Sequence, residues 1–550
     1  MRTPGLRDRA SSVDKLLRLI SGGLFVLAVA CSNEVEGKVS PGRSLGLEPA
    51  AIERVPERVK APEPEIDPRH GVLDAVFEKV VAEAFEKARR ISNGKAHSGN
   101  IDVAISVREL GEVSVDLVAR HAERAQRPAS NMKLVTTSAA LVLLGANQEF
   151  LTPFESDAPL VDERLQGDLV ARASGDPVWH PEVRAEERLR EVARALRAAG
   201  VRRIDGDLVL DEGGFLEPGP GPGWPDPSQY WADYCALCAG FSVQGGVLWA
   251  TVTPRAAGTE ARLAVHPAPH GLRSRYGVDT TRAGPVDVRV GATTSAVTVK
   301  GSLPAGRDSF VATFAHPDPV AFFGSVLAGQ LEREGIALQG RIVRRRNVVL
   351  DPERTRSLAE LRSSVDELYS PINSESDNSV ADQLFLALGH TIVGSGTREG
   401  GLEAVKVALE RLGVSASGLV QVDGSGLSRQ NRVRPRQVTA LLEAVLSSAS
   451  KDLLLDSLAV AGESGTLSRR MRDTPASGRV FAKTGWISGT SALSGVCLSL
   501  DGRTIVFSIL IDYPAALGGL NTHCFKPMQN RLCEILVAPL EPSNGAEAVR

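Results

Sequence analysis

From Met132 to Leu144 the chain reads Met-Lys-Leu-Val-Thr-Thr-Ser-Ala-Ala-Leu-Val-Leu-Leu, a stretch of helical length with almost no polar face. A helix that is apolar nearly all round has to lie at a domain centre, with other elements packed on every side. It also carries a charge in its first turn, Lys133, three residues after Ser130. Positions i and i+3 share a helix face, so the two side chains are expected in one pocket. A serine hydroxyl is a poor nucleophile until a neighbour takes its proton, and Lys133 is placed to do that.

Two more short strings follow in order, Ser376-Asp377-Asn378 and Lys483-Thr484-Gly485. Ser-x-x-Lys also occurs at Ser12, Ser92 and Ser448. Ser12 falls in an N-terminal targeting segment, Ser92 in a Gly/Asn/His turn, and Ser448 after the Ser376 string. Only Ser130 comes just after a proline, Pro128, and opens a long apolar run. As a base Lys133 has to be the free amine, and burial beside other cations lowers a lysine pKa. Lys483 would supply such a cation and offer charge to a substrate carboxylate. Ser376 can relay a proton between Lys133 and a leaving amine, and Asn378 can bind a substrate amide carbonyl. Backbone N–H groups would hold the tetrahedral oxyanion.

At 550 residues the chain exceeds one ordinary core and is expected to divide into two or three domains. Its net charge of −3 gives no reason to expect nucleic acid. No metal or other cofactor is expected: His266 and His270 are four apart, but Pro267 and Pro269 forbid the helix that would align them. Arg2, Arg7, Arg9, Lys15 and Arg18 precede the mostly apolar Leu19–Ala30 stretch, which is too short to span a bilayer but suits a signal peptide over residues 1–30. Ala28-Val29-Ala30 before Cys31 resembles a lipobox, so Cys31 is expected to be lipidated, tying the chain to a membrane through that anchor alone. An ordinary signal peptide with an incidental cysteine is the alternative. Residues 31–70, rich in proline and charge, read as a tether, and 541–550 as a flexible tail. Cys235 and Cys238 form a C-x-x-C before an expected strand at 247–252, read as a structural disulfide or two buried thiols rather than a redox motif.

An amphipathic helix is expected from Val72, then strands at 101–107 and 113–118 before the Ser130 helix. Residues 158–355 change character, with Gly, Pro and Arg rising, short alternating strands, and helical stretches at 185–199 and 319–334. They read as inserted accessory domains. Helical patterns resume at 380–388, 402–412 and 438–449. Strands follow at 479–484, 492–500 and 504–511, with a hairpin at Asp501-Gly502 and a closing helix over 521–537. The fold class is therefore α+β, an antiparallel sheet flanked by helices, built from 71–157 and 356–540 and split by the insertion.

With its Ser-x-x-Lys, Ser-Asp-Asn and Lys-Thr-Gly strings, the chain resembles the D-Ala-D-Ala carboxypeptidase/endopeptidase family of class C low-molecular-mass penicillin-binding proteins. The resemblance runs from about residue 72 to 538 and is carried further by Arg127–Thr137, Gly175-Asp176-Pro177, Gly221–Pro225, Asp423–Arg429 and Ala492–Gly495. A wide gap between the first and second strings and a short one between the second and third fit that family, in which accessory domains are inserted there. The resemblance implies a β-lactamase/transpeptidase-like domain and an exported, periplasmic enzyme. It would act on peptidoglycan stem peptides through an acyl-enzyme and be inhibited by β-lactams. It implies Ser130 as nucleophile and Lys133 as base, with Ser376, Asn378, Lys483 and Thr484 lining the pocket. Ser425 and Arg429 would hold the peptide stem, the guanidinium on a diaminopimelate carboxylate or else in a structural ion pair. One departure is Trp486, where the family usually has Thr or Ser. Its backbone N–H can still complete the oxyanion hole with that of Ser130, but the hydroxyl is gone, the indole can narrow the rim, and Ser488 is the candidate substitute. A peptidoglycan-binding protein without turnover, or a β-lactamase or esterase on the same scaffold, are the alternatives.

Overall fold

The computed structural model describes residues 68–180 and 182–539. Cys31, the expected signal peptide over 1–30, the expected tail over 541–550 and residues 31–67 of the expected tether lie outside the described residues, while 68–70, also expected in the tether, open a helix; among the described residues no helix is long and apolar enough to cross a membrane. The two outer segments of the chain supply, in order, helix α1 (Pro68–Ile91), strands β1 (Asp102–Leu110) and β2 (Val115–Val118), and α2 (Met132–Leu143). After the insertion come α3 (Asn378–Val393), α4 (Arg398–Arg411), α5 (Pro435–Leu446), β3 (Ala459–Val460), β4 (Val480–Ile487), β5 (Thr490–Leu498), β6 (Thr504–Asp512) and α6 (Lys526–Val537).

These strands form one antiparallel sheet in the order β3-β4-β5-β6-β1-β2. The first and last strands in sequence are thus neighbours, with Ser106 opposite Ser508. Successive strand side chains point to opposite faces, and β6 shows the consequence. Ile505, Phe507, Ile509 and Ile511 pack with α1 and α6, while Val506 and Leu510 pack with α2, α3 and α5. The apolar α2 is buried along almost its whole length, as its sequence requires. In α1, Leu73, Phe77, Val81, Ala84 and Ala88 are buried at three- and four-residue steps, giving the single inward stripe of an amphipathic helix. The turn between β5 and β6 falls at Asp501-Gly502, where Gly502 takes φ 88°.

The insertion has its own core, gathering the helices Ala185–Ala198 and Pro319–Arg333 against small sheets. Its largest sheet has five strands: Ile342–Arg345, Leu208–Asp211, Leu169–Arg172, Glu149–Ser156 and Arg356–Ser364. The two strands that bound it pair with each other antiparallel, Glu149 opposite Ser364, and their Phe154, Ala359 and Leu361 belong to the insertion's core. These two strands lie just outside the limits expected at 158 and 355, and their pairing with each other, not their own sequences, brings them against the core of the insertion.

Candidate active site

Ser130 sits in a single 3-10 turn, Ala129–Asn131, and α2 begins only at Met132. Ala129 holds φ 45°, a costly backbone for a residue with a Cβ. Pressed against it is the 423–429 loop: a Cβ on Gly426, itself at φ 85°, would lie 1.8 Å from the Ala129 carbonyl oxygen. The turn is pinned on its other side by Asn131, fully buried, whose amide donates to the Lys483 carbonyl at 2.8 Å and accepts from Ser494 Oγ at 2.6 Å. Asn131 thereby fixes the nucleophile turn to β4 and β5 at once.

Lys133 is fully buried and its amine donates three ways: to Ser130 Oγ at 3.2 Å, Asn378 Oδ1 at 2.7 Å and the Ser425 carbonyl at 2.8 Å. Burial pushes the Lys133 amine down to about 8, against Asp382, Asp377 and Asp423, whose charges pull it up. The effect expected of Lys483 on Lys133 runs the other way. Lys483 is itself fully buried, and burial first, then the charge of Lys133, hold it well below the ordinary ammonium range, with Glu375 opposing. Its Nζ donates to the Thr484 carbonyl at 3.0 Å. Thr484 Oγ1 donates to Thr466 Oγ1.

Asp377 is the N-cap of α3, accepting from the Val380 N–H at 3.0 Å and from Ser379 Oγ. The cap sets Asn378 in the first turn facing Lys133, and its amide also donates to the Tyr234 carbonyl of the insertion at 2.9 Å. Ser376, at φ 70°, makes no hydrogen bond to Lys133, Ser130 or Asn378. The expected relay through its hydroxyl is not assembled in this state, because the three donors of Lys133 are directed elsewhere.

Ser425 is not a pocket side chain. It is fully buried, its Oγ donates to Asp382 Oδ2 at 3.0 Å and its N–H to Asp382 Oδ1 at 2.6 Å, while its carbonyl faces Lys133. The loop around it is organised by Asp423, which accepts from the N–H groups of Gly426 and Ser428, from Asn431 Nδ2 and from Trp224 Nε1. Arg429 is exposed, its N–H donates to the Gly223 carbonyl, and its guanidinium makes no ion pair among the described residues.

The Trp486 side chain is turned toward Tyr513. Its ring is exposed, its Nε1 donates to Tyr513 Oη at 3.3 Å, and it lines a cavity of about 80 Å³ with Ser488, Tyr513 and the 515–522 loop. None of Ser130, Lys133, Asn378 or Lys483 lines that cavity. Ser488 is turned to the Ala515 carbonyl. Cys235 and Cys238 are buried free thiols, Cys238 against the Ser379 carbonyl, so no disulfide joins them. Sequence reasoning missed Asn131, Asp382 and the positioning role of the Ser425 backbone. Asp382 stands four residues after Asn378, which was the one available signal.

A model of the D-Ala-D-Ala carboxypeptidase 3 (S13) family matches residues 95–522. The chain is 36% identical over 411 residues to a D-alanyl-D-alanine carboxypeptidase of Actinomadura sp. (strain R39), covering 72% of this chain and 75% of that one. It is 28% identical over 398 residues to the D-alanyl-D-alanine carboxypeptidase DacB of Haemophilus influenzae, covering 70% and 80%. Among solved structures, penicillin binding protein 4 (dacB) of Haemophilus influenzae superposes with a TM-score of 0.65 at 24% identity, over 80% of this chain and 96% of that one. This last likeness bears on the fold: the transpeptidase-like domain with an insertion is shared.

Proposed function

The chain belongs to the D-Ala-D-Ala carboxypeptidase 3 (S13) family, and from that premise we propose that it is a serine D,D-peptidase that cleaves D-Ala-D-Ala-type bonds of peptidoglycan stem peptides and is acylated by penicillins. The observation that carries the reading is the Lys133 amine, buried, lowered to about 8, and 3.2 Å from a partly accessible serine hydroxyl. The neutral amine takes the Ser130 proton as Oγ attacks the carbonyl carbon. The N–H groups of Ser130 and Trp486 serve the oxyanion, and Asn378 stands over the acyl group while holding the base. Protonated Lys133 then returns its proton toward the leaving amine, and water repeats the sequence on the ester. Lys483 supplies the cation for a substrate carboxylate, since an incoming anion favours its charged form. Thr484 and Arg429 extend the binding surface, Arg429 through an exposed guanidinium.

Incubation with an N-acylated peptide ending in D-Ala-D-Ala tests this: wild type releases D-alanine and Ser130→Ala does not. Binding of muropeptides without release by the wild type would favour a non-catalytic role instead. We place the protein in the cell envelope and propose anchoring through Cys31, supported by the basic, apolar and small-residue order that precedes it. Cys31→Ser should move the protein from the membrane to the soluble fraction, and unchanged membrane association would count against lipidation.

A further inference from the structure

We infer that Asp382 is a positioning residue for the acyl-transfer reaction, which holds the Ser425 peptide so that its carbonyl fixes Lys133 on Ser130. The inference rests on the proposed acylation of Ser130 and goes beyond the three motifs. The geometry is a continuous chain. Both Asp382 carboxylate oxygens accept from Ser425, one from the N–H at 2.6 Å and one from Oγ at 3.0 Å. The same residue presents its carbonyl to Lys133 Nζ at 2.8 Å, and that amine reaches Ser130 Oγ at 3.2 Å.

A buried carboxylate is costly unless its oxygens are satisfied, and Asp382 is 5% exposed with both oxygens spent on one residue. Its partner is 43 positions away in sequence, so the contact ties α3 to the 423–429 loop. Asp382 holds the N–H and side chain of Ser425, and the peptide that carries its carbonyl is held at its far end by Asp423, which accepts from the Gly426 N–H at 2.8 Å, so the two carboxylates together set the direction of that carbonyl. Asp382 also acts on Lys133 through its charge, which favours the charged amine, while burial first and then the charge of Asp423 push its own carboxyl up to about 8, opposed by Lys133 and the bonds from Ser425. The other groups facing this pair are Asp377 on the α3 cap, Asp423 in the loop, Lys483 on β4, and Cys235 and Cys238 in the segment 235–238.

The test is the rate of acylation by a fluorescent penicillin as a function of pH, on the full chain, for wild type, Asp382→Asn and Asp382→Glu. The neutral amine is the base, so the rate rises with pH through the Lys133 pKa. Removing a nearby negative charge lowers that pKa, and Asp382→Asn should move the acidic limb down by about one pH unit with a several-fold fall in the plateau. Asp382→Glu keeps the charge but displaces the Ser425 peptide, so its limb should stay in place while the plateau falls about tenfold. If Asp382→Asn does not fold, the Asp382→Glu result decides, and a wild-type plateau there overturns the inference. An Asp382→Asn enzyme that is folded and slow with an unmoved limb also overturns it, by showing a structural role only. Absence of labelling in wild type would instead remove the Ser130 reading, and this inference with it.

Discussion

Two backbone positions at the nucleophile show how much the site asks of single residues. Gly426 has to be glycine because a Cβ there would meet the Ala129 carbonyl oxygen at 1.8 Å. Gly426→Ala is expected to cost about 2–4 kcal/mol in urea unfolding and to slow acylation, because the Ser130 turn is what must give way. A cost under about 0.5 kcal/mol would show that the loop does not press on that turn. Lys133 makes a second prediction. Acylation of wild type should climb about tenfold per pH unit below its midpoint near 8 and level off above it. A flat profile from pH 6 to 9 would contradict a lysine base. Trp486 gives a third: with its indole on Tyr513, Trp486→Ser should change labelling by no more than about twofold, and a tenfold change would place the ring in the pocket. Ser130 and Lys133 were legible as neighbours because a three-residue spacing puts them on one helix face, whereas Asn378, which meets Lys133 across 245 residues, and Lys483 on its strand were legible only through the strings that contain them. Ser425 was legible as a participant but not in its role, since its direction is decided by Asp382, a contact between segments far apart in the chain.

Between elements, the site is a meeting of one helix start, one helix cap and one strand. Asn131 joins the first to the third, and its removal leaves the Lys483 carbonyl and Ser494 hydroxyl without that partner in a buried place. Asn131→Ala should cost about 1–3 kcal/mol and slow acylation by more than the loss of stability explains, since the proposed oxyanion donors lie on the two elements it fastens. Stability and labelling both within error of wild type would sink that role. Most elements could be read from the chain: the alternation in 504–511, the Asp-Gly turn and the period of α1 each depend on local pattern. The strands Glu149–Ser156 and Arg356–Ser364 could not be assigned to the insertion, because only their pairing with each other, across some two hundred residues, puts them there.

At the scale of the molecule, the insertion is part of the site. Tyr234 lends its carbonyl to Asn378, Gln383 and Ala239 bond each other through amide and backbone, and Gly245 packs on Ser379. Gly245→Ala would set a Cβ 2.4 Å from Ser379 Oγ at a φ of 60°. It should raise hydrogen exchange across 234–246 and slow acylation, and unchanged exchange and rate would show that the two parts are not coupled there. The N-terminal and insertion readings drew on composition, which tells a tether or an accessory unit from a core but does not show what touches what. Whether one serine is acylated with help from a buried lysine is decided by labelling with penicillin and mapping the modified peptide. A single adduct is expected on Ser130, lost in Ser130→Ala and strongly reduced in Lys133→Ala. An adduct on another serine, or none on folded wild type at saturating penicillin, would contradict it.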